Sequence, residues 1–174
     1  MRTLRRLAAL LPLLTAPLAA QEPTGPVRLR GLTVDHWDGA GGPALLRPTL
    51  RATSLIRGRL GPDLALTFFP DAVSLFPPAA VVGLQAALAY PIDVGPVSML
   101  PKAGAAGILL AQMGGERPLY LIPGVQCGLG LLFRLDAKSL FRADLTRHLY
   151  LPEGRNVGFW SVGFGFAVPR REKH

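Results

Sequence analysis

The sequence predicts an all-β chain: an eight-stranded antiparallel up-and-down transmembrane β-barrel behind an N-terminal signal peptide. Three observations predict it. Apolar residues make up 49% of the chain, yet no stretch after residue 20 reads as a clean spanning helix. Period-two alternation recurs through most of the remainder. The turn signals between the alternating segments switch regularly between compact and long.

The first twenty residues, MRTLRRLAALLPLLTAPLAA, have the layout of a secretory signal. A basic start (Arg2, Arg5, Arg6) leads into an apolar run from Leu7 and ends on the small residues Ala19 and Ala20. Pro12 and Pro17 interrupt that run, which is also short against the ~20 residues a spanning helix needs. Residues 1–20 are therefore assigned to a signal peptide cleaved before Gln21, 21–168 to the barrel and 169–174 to a basic tail. Export is expected through the general secretory route.

The signal carries three of the 19 basic residues and none of the 11 acidic ones, so the formal charge of +8 falls to +5 on its removal. The remaining cations are dispersed, apart from Arg170, Arg171 and Lys173, and no nucleic-acid partner is expected. Cys127 is the single cysteine, which excludes an internal disulfide and a cysteine zinc site. Something other than disulfides must hold the fold.

Helical spans are disfavoured by punctuation. The longest uncharged stretch, Ala72 to Ile92, contains Pro77, Pro78, Gly83, Gln85 and Pro91. Eight strands are expected instead, at roughly 26–35, 44–59, 64–69, 79–90, 97–112, 118–133, 139–149 and 157–168. The first, third and fifth carry the weakest patterns. In the second, Leu46, Leu50, Ala52 and Ile56 oppose Arg47, Thr49, Arg51, Thr53 and Arg57. In the fourth, Val82, Leu84, Ala86, Leu88 and Tyr90 alternate with Gly83, Gln85, Ala87 and Ala89. The sixth sets Val125, Cys127, Leu129, Leu131 and Phe133 against Gly124, Gln126, Gly128 and Gly130. In the seventh, Phe141, Ala143, Leu145 and Leu149 face away from Arg142, Asp144, Thr146 and His148. The eighth places Trp160, Val162, Phe164, Phe166 and Val168 on one face and Ser161, Gly163, Gly165 and Ala167 on the other.

Compact turns are expected at LGPD (60–63), PIDVGP (91–96) and RLDAK (134–138). Longer loops are expected at 35–43, 69–78, 113–118 and 150–156. The meaning of the alternation follows from where bulk is wanted. A soluble sandwich or lipocalin-like barrel turns its large apolar groups inward to fill a core. An eight-stranded barrel has an interior only wide enough for side chains. Small and ionic residues suit that interior, and bulky apolar ones suit hydrocarbon outside. A closed barrel also pairs every backbone group, as the bilayer demands. An even strand count puts both ends on one side, with the short turns facing the periplasm.

The chain resembles the small eight-stranded outer-membrane β-barrels of double-membraned bacteria, of the OmpA-barrel and OmpX type. The resemblance is carried by PGVQCGLGLLFRLDAKSLFRADLTRHLY (123–150) and by the aromatic last strand FWSVGFGFAV (159–168). It implies an integral outer-membrane protein in contact with outer-membrane lipid and lipopolysaccharide, inserted by the barrel-assembly machinery and monomeric. Members of that family usually finish on an aromatic residue that the machinery reads, whereas eight residues follow Phe166 here. Either the recognition signal is internal, or the last strand does not carry it.

The expected lumen charge network comprises Arg47, Arg51, Arg57, Arg142 and Asp144. Isolated buried ions are costly, so these residues are expected to pair and plug the lumen rather than line a conducting constriction. Trp37, Tyr90, Tyr150 and Trp160 are expected at the membrane interfaces, where aromatic girdles sit. His148 raises an enzymatic alternative, because some barrels of this kind are lipid A deacylases in which a serine follows the histidine by two positions. Position 150 is Tyr, and His148 is read as a rim residue beside it. No metal, phosphate-loop or nucleotide pattern is present, so no cofactor is expected. The leading expectation is a non-enzymatic structural or surface-interaction role. A lipid A-modifying enzyme and a soluble exported carrier of a small apolar ligand are the alternatives.

Overall fold

A computed structural model describes residues 27–38, 46–70, 79–112, 119–136, 138–152 and 155–170. The expected signal peptide and most of the basic tail lie outside the described residues. Among the described residues nine strands run in chain order: β1 Val27–Asp38, β2 Arg47–Leu55, β3 Gly61–Phe68, β4 Ala79–Ala89, β5 Ile92–Val94, β6 Val97–Gln112, β7 Leu119–Arg134, β8 Leu140–Tyr150 and β9 Val157–Arg170. Eight of them build the barrel wall, each antiparallel to its neighbours, and β9 closes back onto β1. The short β5 prolongs the line of β4 beyond Tyr90 and Pro91 and pairs with the start of β6.

The register fixes the barrel's shape. A path of paired residues leaves β8 at Leu140 and runs through Ala167, Gly31, Arg51, Ala65, Gln85, Ala106 and Gly124. It returns to β8 at Tyr150, ten residues further along. Ten residues at ~3.3 Å, set against eight strand spacings of ~4.8 Å, tilt the strands by about 41°. The same ten residues then climb about 25 Å along the axis, the height of a transmembrane barrel's apolar band.

Three strand bounds differ from the sequence expectation, and the differences matter for the site. The β2–β3 turn centres on Arg57 and Gly58, so Gly61, Pro62 and Asp63 of the expected turn belong to β3. β1 continues past Asp35 to Asp38, which brings Trp37 into the sheet. The expected PIDVGP turn narrows to the residues around Gly95, because Ile92 to Val94 pair with Val97 to Met99. Gly58 and Gly95 hold positive φ (65° and 60°), the backbone that tight hairpins ask of glycine.

Large apolar groups face out. Phe164, Phe166, Val168, Leu32, Leu50, Leu121 and Val125 are each at least half exposed, whereas Thr33, Thr49, Thr67 and Thr146 on the opposite parity are buried. This sidedness rejects the soluble-carrier alternative, whose bulk would point inward. The interior is layered along the axis. Leu29, Ala89, Leu100, Leu132 and Ala167 pack at the turn end, and Trp37, Phe69, Val81, Ala106 and Tyr150 pack at the loop end. A charged layer lies between them.

Candidate functional site in the barrel lumen

Arg142 and Asp144 stand two apart on β8, so the strand's period aims both at the axis. Arg142 Nε donates to Asp144 Oδ2 at 2.6 Å, and its Nη2 reaches Asp63 Oδ2 on β3 at 3.0 Å. Its Nη1 donates to Thr53 Oγ1 on β2 at 2.6 Å, and the Thr53 hydroxyl in turn donates to Asp63. Lys102 Nζ on β6 bridges Asp144 (2.6 Å) and Asp63 (3.2 Å). Arg51 on β2 donates to Asp35 Oδ2 on β1 at 2.9 Å and to Thr33 Oγ1 at 3.1 Å, and its Nε lies 3.5 Å from Asp144.

Three cations and three carboxylates thus meet across the barrel from five strands, and the six charges balance. None of the six residues is more than 5% exposed. At that burial an unbalanced charge would carry an uncompensated desolvation cost, so the equal number of cations and carboxylates is what lets the layer exist. Charge-assisted bonds at 2.6–3.2 Å are also the strongest polar contacts available to these groups.

Toward the loop end, the Trp37 ring stacks on His148 with centroids 4.4 Å apart and planes 14° apart, and Tyr150 stacks beyond. His148 Nε2 and Ser161 Oγ are 2.9 Å apart. His148 Nδ1 is buried with no hydrogen-bond partner among the described residues, so among them no carboxylate orients this histidine as an acid orients the histidine of a triad. Both residues face the axis and are at most 2% exposed.

The expected site residues fall into three groups. Arg51, Arg142 and Asp144 come together in the charged layer. Arg47 is also buried, but toward the loop end, with its guanidinium 4.7 Å from the Phe69 ring centroid. Arg57 does not line the lumen. It is exposed in the β2–β3 turn, because β2 ends at Leu55 and the alternation stops there.

Tyr90 and Trp160 are exposed on the outer wall, and Arg147 caps the Trp160 ring at 5.4 Å. Trp37 and Tyr150 are not interface residues. They are 4% and 1% exposed inside the barrel, because each lies two positions from an inward residue, Asp35 and His148 respectively. His148 is likewise an interior residue rather than a rim one. Cys127 is exposed on the outer face.

Sequence reasoning missed Asp35, Asp63 and Lys102, half of the charged layer. Asp63 sat in a string that read as a turn, Asp35 at the junction of a weakly patterned strand and a loop, and Lys102 in another weakly patterned strand. The available signal was electrostatic: a lumen holding several arginines requires carboxylates of matching parity nearby.

No protein-family model and no curated protein matches the chain. Solved structures do match its shape. The N-terminal β-barrel domain of Pseudomonas aeruginosa OprF aligns at 13% identity with a TM-score of 0.60, covering 86% of this chain and 100% of that one. The fold is that of the small outer-membrane β-barrels. A major outer membrane protein of Thermus thermophilus aligns at 12% identity and TM-score 0.58, covering 84% of this chain and 100% of that one. Neisserial surface protein A aligns at 13% and 0.57, with 83% and 95% covered. At such identities the likeness to these outer-membrane barrels is one of architecture.

Proposed function

We propose that this chain is a non-enzymatic integral outer-membrane protein, exported by the general secretory route, with a structural or surface-interaction role and a lumen closed by its own side chains. Its partners on this reading are outer-membrane lipid and lipopolysaccharide, with the barrel-assembly machinery during insertion, and it works as a monomer without nucleic acid. One observation carries the reading: the balanced layer of Arg51, Lys102, Arg142, Asp35, Asp63 and Asp144 ties five strands together across the axis. Opening a path through it means separating several buried pairs at once, each costly to break. Single-channel recording in planar bilayers tests it. A silent membrane is expected; steady, anion-preferring openings would overturn the closed lumen.

The His148–Ser161 contact favours a second reading, a lipid A-modifying enzyme. Against it, both side chains point to the axis, while acyl chains lie against the outer wall, so substrate and dyad are on opposite sides of the sheet. Incubation with lipid A followed by mass spectrometry is expected to show no fatty-acid release. Release that disappears in His148→Ala would establish the enzyme.

A further inference from the structure

Among the described residues, six exposed cations stand at the turn end of the barrel: Arg28 and Arg30 on β1, Arg57 and Arg59 after β2, Arg134 ending β7 and Lys138 in the β7–β8 turn. The strand order sets β7, β8, β9, β1, β2 and β3 side by side, so the six form one arc. Among the described residues of that end, the exposed carboxylates are Asp93 and Asp136. Asp93 accepts from Ser98, and Asp136 accepts from the backbone N–H groups of Lys138 and Ser139.

Arg30 differs from the others of the arc in where it stands. It lies on the outer wall one pleat above Arg28, directly below the exposed Leu32. From it a depression of about 710 Å³ runs round the outer wall. Its floor follows a register row: Arg30 pairs with Ala52, Ala52 with Leu64, Leu64 with Ala86, and Ala86 with Ala105. Three alanines in that row leave space that Leu50, Leu84 and their like occupy in the adjacent row. The depression extends to β7, five strand gaps or about 24 Å from β1. At the tilt fixed by the register it rises about 16 Å, close to half of a ~30 Å hydrocarbon core. It is an apolar channel one leaflet long, with a guanidinium at its lower end.

We propose that this is a binding site for an anionic phospholipid of the periplasmic leaflet. The phosphate sits on Arg30, and one acyl chain lies along the groove over Ala52, Leu64, Ala86 and Ala105. The proposal rests on the reading of this chain as a membrane barrel with its short turns in the periplasm. An arginine below an apolar band places its head at headgroup level, and its planar fork donates two parallel N–H bonds to a phosphate. The arc around it adds a field that attracts negative lipid. A second copy of the chain would instead bring like charges together, and lipopolysaccharide occupies the opposite leaflet.

The test is refolding into nanodiscs of phosphatidylcholine mixed with phosphatidylglycerol, with native mass spectrometry of the lipid that stays bound. Phosphatidylglycerol is expected to be retained preferentially. Arg30→Gln is expected to cut that preference about fivefold. Ala86→Leu/Ala105→Leu, which fills the groove, is expected to shorten lipid retention while leaving the charges in place. Equal retention of the two lipids, or a preference untouched by Arg30→Gln, would overturn the site. A dimer that the groove-filling pair abolishes without any effect on lipid would overturn it too. Heat-modifiable migration after refolding in phosphatidylcholine alone reports insertion separately, so failure to insert would sink the underlying reading rather than the lipid site.

Discussion

Asp35 on β1 and Gly163 on β9 are register partners, and a Cβ on Gly163 would overlap the Asp35 carboxylate. Gly163 is also the register partner of Asp144, so one glycine makes room between two of the three lumen carboxylates. Gly163→Val should therefore push Asp35 off Arg51 and cost about 1–3 kcal/mol as an overpacked core does. Urea unfolding in lipid bilayers checks it, and an unchanged midpoint would show that the approach is not tight.

The balance of the charged layer makes a sharper prediction, because removing one charge and removing a pair differ in sign count. Arg142→Leu leaves Asp63 and Asp144 to Lys102 and the more distant Arg51, three carboxylates against two cations, and should lose about 3–5 kcal/mol. Arg142→Leu/Asp63→Asn leaves Lys102 with Asp144 and Arg51 with Asp35, so it should recover at least half of that loss. The same unfolding measurement decides it. A double variant no more stable than the single one would show that shape rather than charge balance holds the layer.

What the sequence made legible was sidedness. Phe164 and Phe166 against Gly163 and Gly165, or Leu50 against Thr49 and Arg51, could be assigned to faces because a strand's period is two and the two environments differ in kind. Hairpin register was not legible, because Pro62 and Asp63 have turn chemistry whether or not a partner strand claims them. That is why Asp63 was missed and Arg57 misplaced. Depth and partnership were not legible either: parity puts Trp37 and Asp35 on one face but says nothing of what crosses the barrel to meet them.

The two tryptophans provide a direct reading of the two faces. Trp37 is stacked inside the barrel, and Trp160 is exposed on its outer wall. In Trp37→Phe the remaining emission should be strongly quenched by brominated phospholipids, and in Trp160→Phe it should be protected. Fluorescence in matched vesicles with and without the brominated lipid checks this. The reverse pattern would turn the barrel inside out.

Asp136, in the β7–β8 turn, is held below the ordinary aspartate value of 3.8 by hydrogen bonds from Ser139 and the Lys138 amide. A depressed folded pKa gives stability that is present above the unfolded value and lost as pH falls through the folded one. The turn should thus hold near neutrality and loosen only in acid below about pH 4. NMR titration of the Ser139 amide should give a midpoint under 3.8, and Asp136→Asn should abolish the titration.

Cost as a function of depth separates lipid from every other apolar environment. Phe164 is exposed near the middle of β9, whereas Leu119 is exposed at the loop end of β7. Both side chains point away from the charged layer, so an arginine at either reports on the surroundings of the outer wall alone. In a bilayer, Phe164→Arg should cost about 2–4 kcal/mol and Leu119→Arg about 0–1 kcal/mol, since the penalty falls from midplane to interface. The same two variants refolded in detergent micelles should differ less, because a micelle closes loosely around a charge. Folding equilibria in bilayers of one thickness supply the numbers. Equal costs at the two positions would mean that no hydrocarbon slab surrounds the wall.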